Sequence, residues 1–260
     1  MVLDIESEAD RVVGADRVLA VLVELAHHPH GIGLDDLARR LHSPKPTVHR
    51  ALASLRRARL ADQVGRGVYR LGDEYLRLAF QHHASRPEGA RLEPALRQLA
   101  ERYGETAHYA ELEGTDVVYR AKVDPPAGSV RLTSQVGGRN PAASTAVGKL
   151  VLSRRLRSEA ELRSWLGDRG LEARTPRTIT GVPELWRELV RTRERGYAVD
   201  DQENEVGINC VAVSARPDPR GPAGAVSISA LAFRLPLDRL VAEVPHIRAT
   251  VDAAIGAQGQ

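Results

Sequence analysis

Side chains able to donate to nucleic acid crowd into one stretch of the sequence. Lys45, Thr47, His49 and Arg50 fall within six positions just after Ser43, and Arg66, Tyr69 and Arg70 follow closely. Lysine and arginine donate to guanine O6 and N7 or to phosphate, serine and threonine suit phosphate, and histidine serves either role. From Leu37 to Arg70 nine basic residues face one acid, Asp62, a local charge of +8, whereas residues 1–36 hold two arginines against eight acids. The remainder contributes +1 to a chain total of +3, and 34 of the 37 basic residues are arginine. Positive charge so confined suits a polyanionic partner, with duplex DNA the natural one. The plain alternative is a small helical subdomain whose arginines are merely solvated.

A second chemistry lies near the other end. Ser227 and Ser229 are two apart in a run that reads as a strand, so both hydroxyls share one face while Val226, Ile228 and Ala230 take the other. Side by side, two hydroxyls hold a carboxylate or carbonyl; a solvent-facing pair is the alternative. Backbone amides opening a helix predicted over Ser144–Leu152 also favour an anion. A small acid or its derivative is the simplest ligand.

Catalytic constellations are weaker. The run AASTAVGKL approximates a phosphate-binding loop, but that pattern needs Gly where Ala143 stands and Ser or Thr where Leu150 stands. Cys210 with His108 or His246 would make a nucleophile and base, yet its flanks, Asn209 and Val211, read as a packed strand. His27, His28 and His30 lie at a helix end without cysteines or carboxylates at ligand spacing, so neither a metal nor another cofactor is expected. Asp200, Asp201, Glu203 and Glu205 read as one acid in a pocket and three in a polar loop rather than a hydrolase pair. A small-acid hydrolase or transferase fused to a DNA-targeting module is the alternative to a non-enzymatic sensor.

The elements that position these groups follow from periodicity. Helical patterns run from Asp16, a candidate N-cap, to His28, over Leu34–Leu41, and over Val48–Leu55. Between the last two, Ser43 is a suitable N-cap, and Pro44 and Pro46 fit a first helical turn, where a missing N–H costs little. Strands Leu60–Val64 and Val68–Leu71 flank Gly65-Arg66-Gly67, a hairpin with a basic tip. Helix, short helix, turn, helix and hairpin make a winged helix-turn-helix, whose helix after the turn enters the major groove. A helix over Glu74–Ala84 precedes the break Ser85-Arg86-Pro87-Glu88-Gly89.

Beyond it are expected a helix over Ala90–Tyr103, strands at Thr106–Glu111, Asp116–Lys122 and Val130–Gln135, and helices at Ser144–Leu152, Glu159–Leu166 and Pro183–Arg193. Strands Tyr197–Asp200, Cys210–Ser214 and Ala225–Ala230 and a closing helix over Leu237–Ile255 complete the pattern. This is an α+β chain with a mostly antiparallel sheet flanked by helices. The predicted domains are a DNA-binding domain (1–72), a linker helix and hinge (73–89) and a ligand-binding and oligomerisation domain (90–260).

At 260 residues, 42% apolar and 27% charged, the chain has room for a core and the balance of a folded globular protein. One cysteine excludes an internal disulfide, no apolar run approaches a membrane span, and the acidic start MVLDIESEAD is unlike a signal peptide. A cytoplasmic location is expected.

Three segments, RVLAVLVELAHH, LDDLARRLHSPKPTVHRALASL and YRLGDEYLRLA, resemble the DNA-binding module of the IclR-type transcriptional regulators. GRNPAASTAVGKLVLS, TPRTIT, ELWRELVRTRERGYAVDDQENEVGINCVAV and GPAGAVSISA resemble the same family's effector domain, in order, and the likeness spans about residues 14–255. It implies a homodimer or tetramer that binds a palindromic operator, with a GAF-like domain that binds a small metabolite and changes operator affinity. Matching motif positions place Ala146, Val147, Asp200, Ile208, Cys210, Ser227 and Ser229 around that metabolite. One departure stands in the recognition helix, where Pro46 replaces the serine common in the family and removes both a hydroxyl and an N–H.

Overall fold

The computed structural model describes residues 14–84, 88–125, 132–216 and 224–256. It divides into two compact units, Met1–Arg86 and Pro87–Gln260.

The first unit runs α1 (Ala15–Ala26), β1 (Ile32–Gly33), α2 (Leu34–Arg40), α3 (Lys45–Arg57), β2 (Ala61–Gly65), β3 (Val68–Leu71) and α4 (Asp73–Ala84). The strands form an antiparallel sheet in the order β1-β3-β2. Val21, Leu25, Leu37, Val48, Leu52 and Leu55 are buried together, so the apolar stripes of α1, α2 and α3 converge on one core. Small Ala38 is buried in it as well.

The turn between α2 and α3 is made by backbone rather than by a side-chain cap. His42 adopts a left-handed φ of 44°. Its amide donates to Arg39 O at 3.2 Å and the Ser43 amide to Ala38 O at 3.0 Å, the paired closure of a Schellman motif. Glycine usually holds that position. Two expected caps are corrected. Pro44, not Ser43, is the N-cap of α3, with Pro46 inside the first turn; Gly14, not Asp16, precedes α1, and Asp16 sits in its first turn.

The second unit runs α5 (Glu88–Tyr103), β4 (Thr106–Glu113), β5 (Asp116–Val123), β6 (Arg139–Pro141), α6 (Ala146–Arg155), α7 (Glu159–Leu166), α8 (Val182–Arg195), β7 (Ala198–Asp201), β8 (Ile208–Ala215), β9 (Gly224–Leu231), α9 (Leu237–Ala242) and α10 (Val244–Gly256). The strands make one antiparallel sheet, in the order β6-β5-β4-β9-β8-β7. Strand alternation sends Val211, Val213, Val226 and Ile228 toward α5 and α10, where Leu96, Leu99, Ile247 and Val251 cover them. Ala212 and Ala225 turn to the other face, against Leu150, Leu152, Leu185 and Leu189 of α6 and α8.

Two expected elements differ. The closing helix breaks at Glu243, because Pro245 has no N–H to continue the ladder and fits only a fresh first turn. The strand expected at Val130–Gln135 is absent over 132–135, and Val130 lies outside the described residues. The carbonyls of Leu132 and Ser134 accept instead from Lys122 Nζ, at 2.9 and 2.7 Å, and β5 pairs with β6.

Candidate functional site

In the first unit, α3 turns Lys45, His49 and Arg50 to solvent and leaves Ser43 and Thr47 half-buried. The Lys45 ammonium lies 2.8 Å from Asp35 Oδ2 on α2, an exposed pair that holds the lysine at the start of α3 without committing it strongly. Thr47 and Arg50 border a shallow recess with Arg17 and Ser54, between α1 and α3. Arg66 and Arg70 are exposed on the β2–β3 hairpin. Tyr69 is a correction: it is 4% exposed and packs in the core. Neighbours on a strand face opposite ways, so Arg70 outward puts Tyr69 inward.

In the second unit, Ala146, Val147, Asp200, Ile208, Cys210, Ser227 and Ser229 all border one cavity of about 330 Å³ on the α6 side of the sheet. Register explains the convergence. Asp200 pairs with Cys210 and Cys210 with Ser229, giving a row across β7, β8 and β9, while Ser227 pairs with His108 of β4. Thr145 caps α6 by accepting the Gly148 amide at 3.1 Å. Helix geometry leaves the amides of Ala146 and Val147 without intrahelical acceptors, at the cavity wall. Gly148 is required here, since a β-carbon would overlap the Ala142 carbonyl oxygen.

Several further residues line the wall. His108 Nε2 lies 2.9 Å from Ser134 Oγ, and its ring lies 4.7 Å from that of Tyr119. Asn140 Nδ2 donates to the Tyr119 hydroxyl at 3.1 Å. Burial, helped by the Lys122 charge, pushes the His108 pKa down to about 3, and burial pushes Tyr119 up to about 12, so both are neutral near pH 7. Arg174 also borders the cavity and donates through Nε to the Asn204 carbonyl at 3.1 Å.

Asp200 is 2% exposed. Its Oδ1 accepts the amides of Glu203 at 2.7 Å and Asn204 at 3.3 Å, yet burial outweighs these bonds and the attraction of Lys149 and raises its pKa to about 7. Glu203, expected in a polar loop, is a further correction: it is 6% exposed and bonded to the fully buried Lys149 of α6. The TPRTIT segment holds this turn, Thr175 Oγ1 donating to Gln202 O at 2.7 Å and Thr178 Oγ1 to Glu203 O at 2.6 Å.

The one cysteine of the cavity is not set up as a nucleophile. Burial first, and then the Asp200 charge, raises the Cys210 thiol well above its usual pKa, and its Sγ donates to Ser229 Oγ at 3.1 Å. A protonated thiol is a poor nucleophile. His246 belongs to α10 and packs near Tyr103, on the opposite face of the sheet, so it is not a partner for Cys210.

Comparison with known proteins agrees with both units. The model for the IclR helix-turn-helix domain matches residues 14–65, and that for the bacterial transcriptional regulator IclR C-terminal region matches residues 89–254. The acetate operon repressor of Salmonella typhimurium is 31% identical, over 88% of this chain and 84% of its own length. The transcriptional repressor IclR of Escherichia coli K12 is 30% identical over the same shares. The crystal structure of the Thermotoga maritima IclR superposes with a TM-score of 0.75 at 26% identity, covering 94% of this chain and 98% of that one. Members of this family regulate transcription and are not enzymes, which sets aside the hydrolase alternative. A DNA-reading helix-turn-helix joined to an effector domain, matched along nearly the whole chain, establishes that the protein belongs to the IclR family of bacterial transcriptional regulators.

Proposed function

We propose that the protein is a homo-oligomeric repressor that binds a palindromic operator and changes its affinity when a small organic acid enters the cavity of the second unit. The observation that carries this reading is the convergence of polar side chains and free helix amides on one cavity of about 330 Å³, in a chain whose other unit presents a basic recognition helix. That volume lies at the small end of the range for small-molecule sites and accommodates a small organic acid. Both bacterial relatives are repressors, which supports repression over activation.

In this reading α3 enters the major groove with His49 and Arg50 toward base edges, while Ser43, Lys45, Thr47, Arg66 and Arg70 meet phosphates. Two copies place their α3 helices about 34 Å apart on successive major grooves, which requires a palindromic site and at least a dimer. Residues 73–89 serve as the linker. The protein acts where the chromosome is, in the cytoplasm. The effector changes operator affinity only by binding one arrangement of the protein better than the other.

Fluorescence anisotropy of a labelled promoter duplex, titrated with the full chain at fixed salt, tests the coupling. A small acid that binds the protein is expected to shift the operator Kd roughly 5- to 150-fold, the usual range of allosteric coupling. An acid that binds and leaves the Kd unchanged contradicts it.

A further inference from the structure

We propose that the cavity takes up its effector as an anion together with one proton, which Asp200 accepts and then donates as a hydrogen bond to the ligand's carboxylate. This rests on reading the cavity as the effector site and adds how that site handles charge.

The buried charges beside the cavity do not cancel. Asp200 and Glu203 are both buried carboxylates, and the buried cation beside them is Lys149, whose ammonium bonds Glu203. With all three ionised the cluster carries one negative charge in excess. Two guanidiniums border the cavity, each set against acids outside this cluster: Arg174 donates to the Asn204 carbonyl and lies 3.8 Å from Glu172, and Arg139 donates to Glu113 and lies 3.8 Å from Asp116, its buried Nη1 making no hydrogen bond. Lys122 on β5, whose charge reaches His108, is paired with Asp124 at 2.9 Å, and the remaining neighbours bring no positive charge. His108 on β4 and Tyr119 on β5 are neutral, Cys210 on β8 is a thiol, and Glu205 adds a further carboxylate to the wall.

A ligand carboxylate held at the Ala146 and Val147 amides shares this cavity with Asp200, which borders it. Two carboxylates so confined do not both stay ionised, and one proton shared between them removes the repulsion. That proton comes from solvent. It forms an O–H bond on Asp200 and an O–H···O contact to the anion, so net charge and atoms balance without a cation. The pH window is set by Asp200, whose pKa burial raises to about 7. An amine ligand does the reverse, pairing with ionised Asp200 and releasing a proton.

Isothermal titration calorimetry of the full chain with acetate, glycolate and lactate, at about pH 8 in two buffers of different ionisation enthalpy, tests this. Uptake close to one proton per site is expected for an acid that binds. Its affinity should fall by up to about tenfold from pH 7 to 8 and level off below about pH 6. Asp200→Asn should bind the acid with a nearly pH-independent affinity, because the amide donates the same bond without titrating. Buffer-independent heats, proton release, or an Asp200→Asn protein that keeps the wild-type pH profile would each overturn the proposal while leaving the effector site standing. Failure of all three acids to bind at millimolar concentration would overturn both readings of the cavity and leave operator binding untouched.

Discussion

Cys210 and Ser229 oppose each other across the β8–β9 ladder, with Sγ 3.1 Å from Oγ, and the same hydroxyl lies 3.5 Å from His108 Nδ1. A serine thus stands between the thiol and the imidazole. No imidazole bonds the cysteine directly, and burial together with the Asp200 carboxyl keeps its proton in place. Native protein at about pH 8 should therefore react with iodoacetamide far more slowly than the unfolded chain, as followed by mass spectrometry. Labelling at the rate of a free exposed cysteine would show that the thiol is accessible and ionised.

Stability should carry opposite pH signatures from Asp200 and His108. The folded-state pKa of Asp200 is raised to about 7, so the folded chain binds the extra proton and stability falls as pH climbs from about 4 to about 7. That of His108 is lowered to about 3, so the unfolded chain takes the proton first and stability is lost as pH falls below about 6.5. Each pKa unit corresponds to about 1.4 kcal/mol. In thermal melts, the gain from Asp200→Asn over wild type should grow with pH up to about 7, and the gain from His108→Gln should grow toward acid. Parallel melting curves for the three proteins would refute the assignment.

Left-handed His42 suggests a simple stabilising change. A non-glycine residue in this region costs roughly 1 kcal/mol, and His42 is exposed, so its side chain contributes little packing. His42→Gly should raise stability by up to about 1 kcal/mol in urea unfolding, less the added backbone entropy of the unfolded chain. A loss above about 1 kcal/mol would mean that the side chain supports the turn.

Lys149 and Glu203 should behave as a buried pair, not as two independent charges. Lys149→Met leaves Glu203 buried without its partner and is expected to cost about 3–5 kcal/mol. Adding Glu203→Leu should recover much of that loss, since two apolar side chains remove both desolvation penalties. Additive losses in a double-mutant cycle would contradict the pairing.

Much of this architecture was legible in the sequence, and the exceptions have physical reasons. Period-3.6 stripes mark α1, α2 and α3 because each buries one face, and period-2 alternation marks β9 with its two serines on one side. Applied to β3, that same alternation would have placed Tyr69 in the core. Lys149 was harder to read. In α6 every residue from Ala146 to Ser153 is buried, so no polar face marks the orientation, and a lysine there is only explained once Glu203 arrives from a turn 54 positions away. The His108 and Tyr119 wall depends on β4 and β5 lying beside β9, a long-range pairing that local spacing does not encode. The β6 segment is three residues long, too short for alternation to show.

Regulation by this protein requires the first unit to read DNA sequence through α3. Anisotropy titration of the full chain with its own upstream promoter duplex, and with a scrambled duplex of equal length at the same moderate salt, measures this directly. The promoter should bind at least about 10³-fold more tightly, and Arg50→Ala should lower that preference by about 1–3 kcal/mol. Equal affinity for both duplexes, with and without small acids, would contradict it.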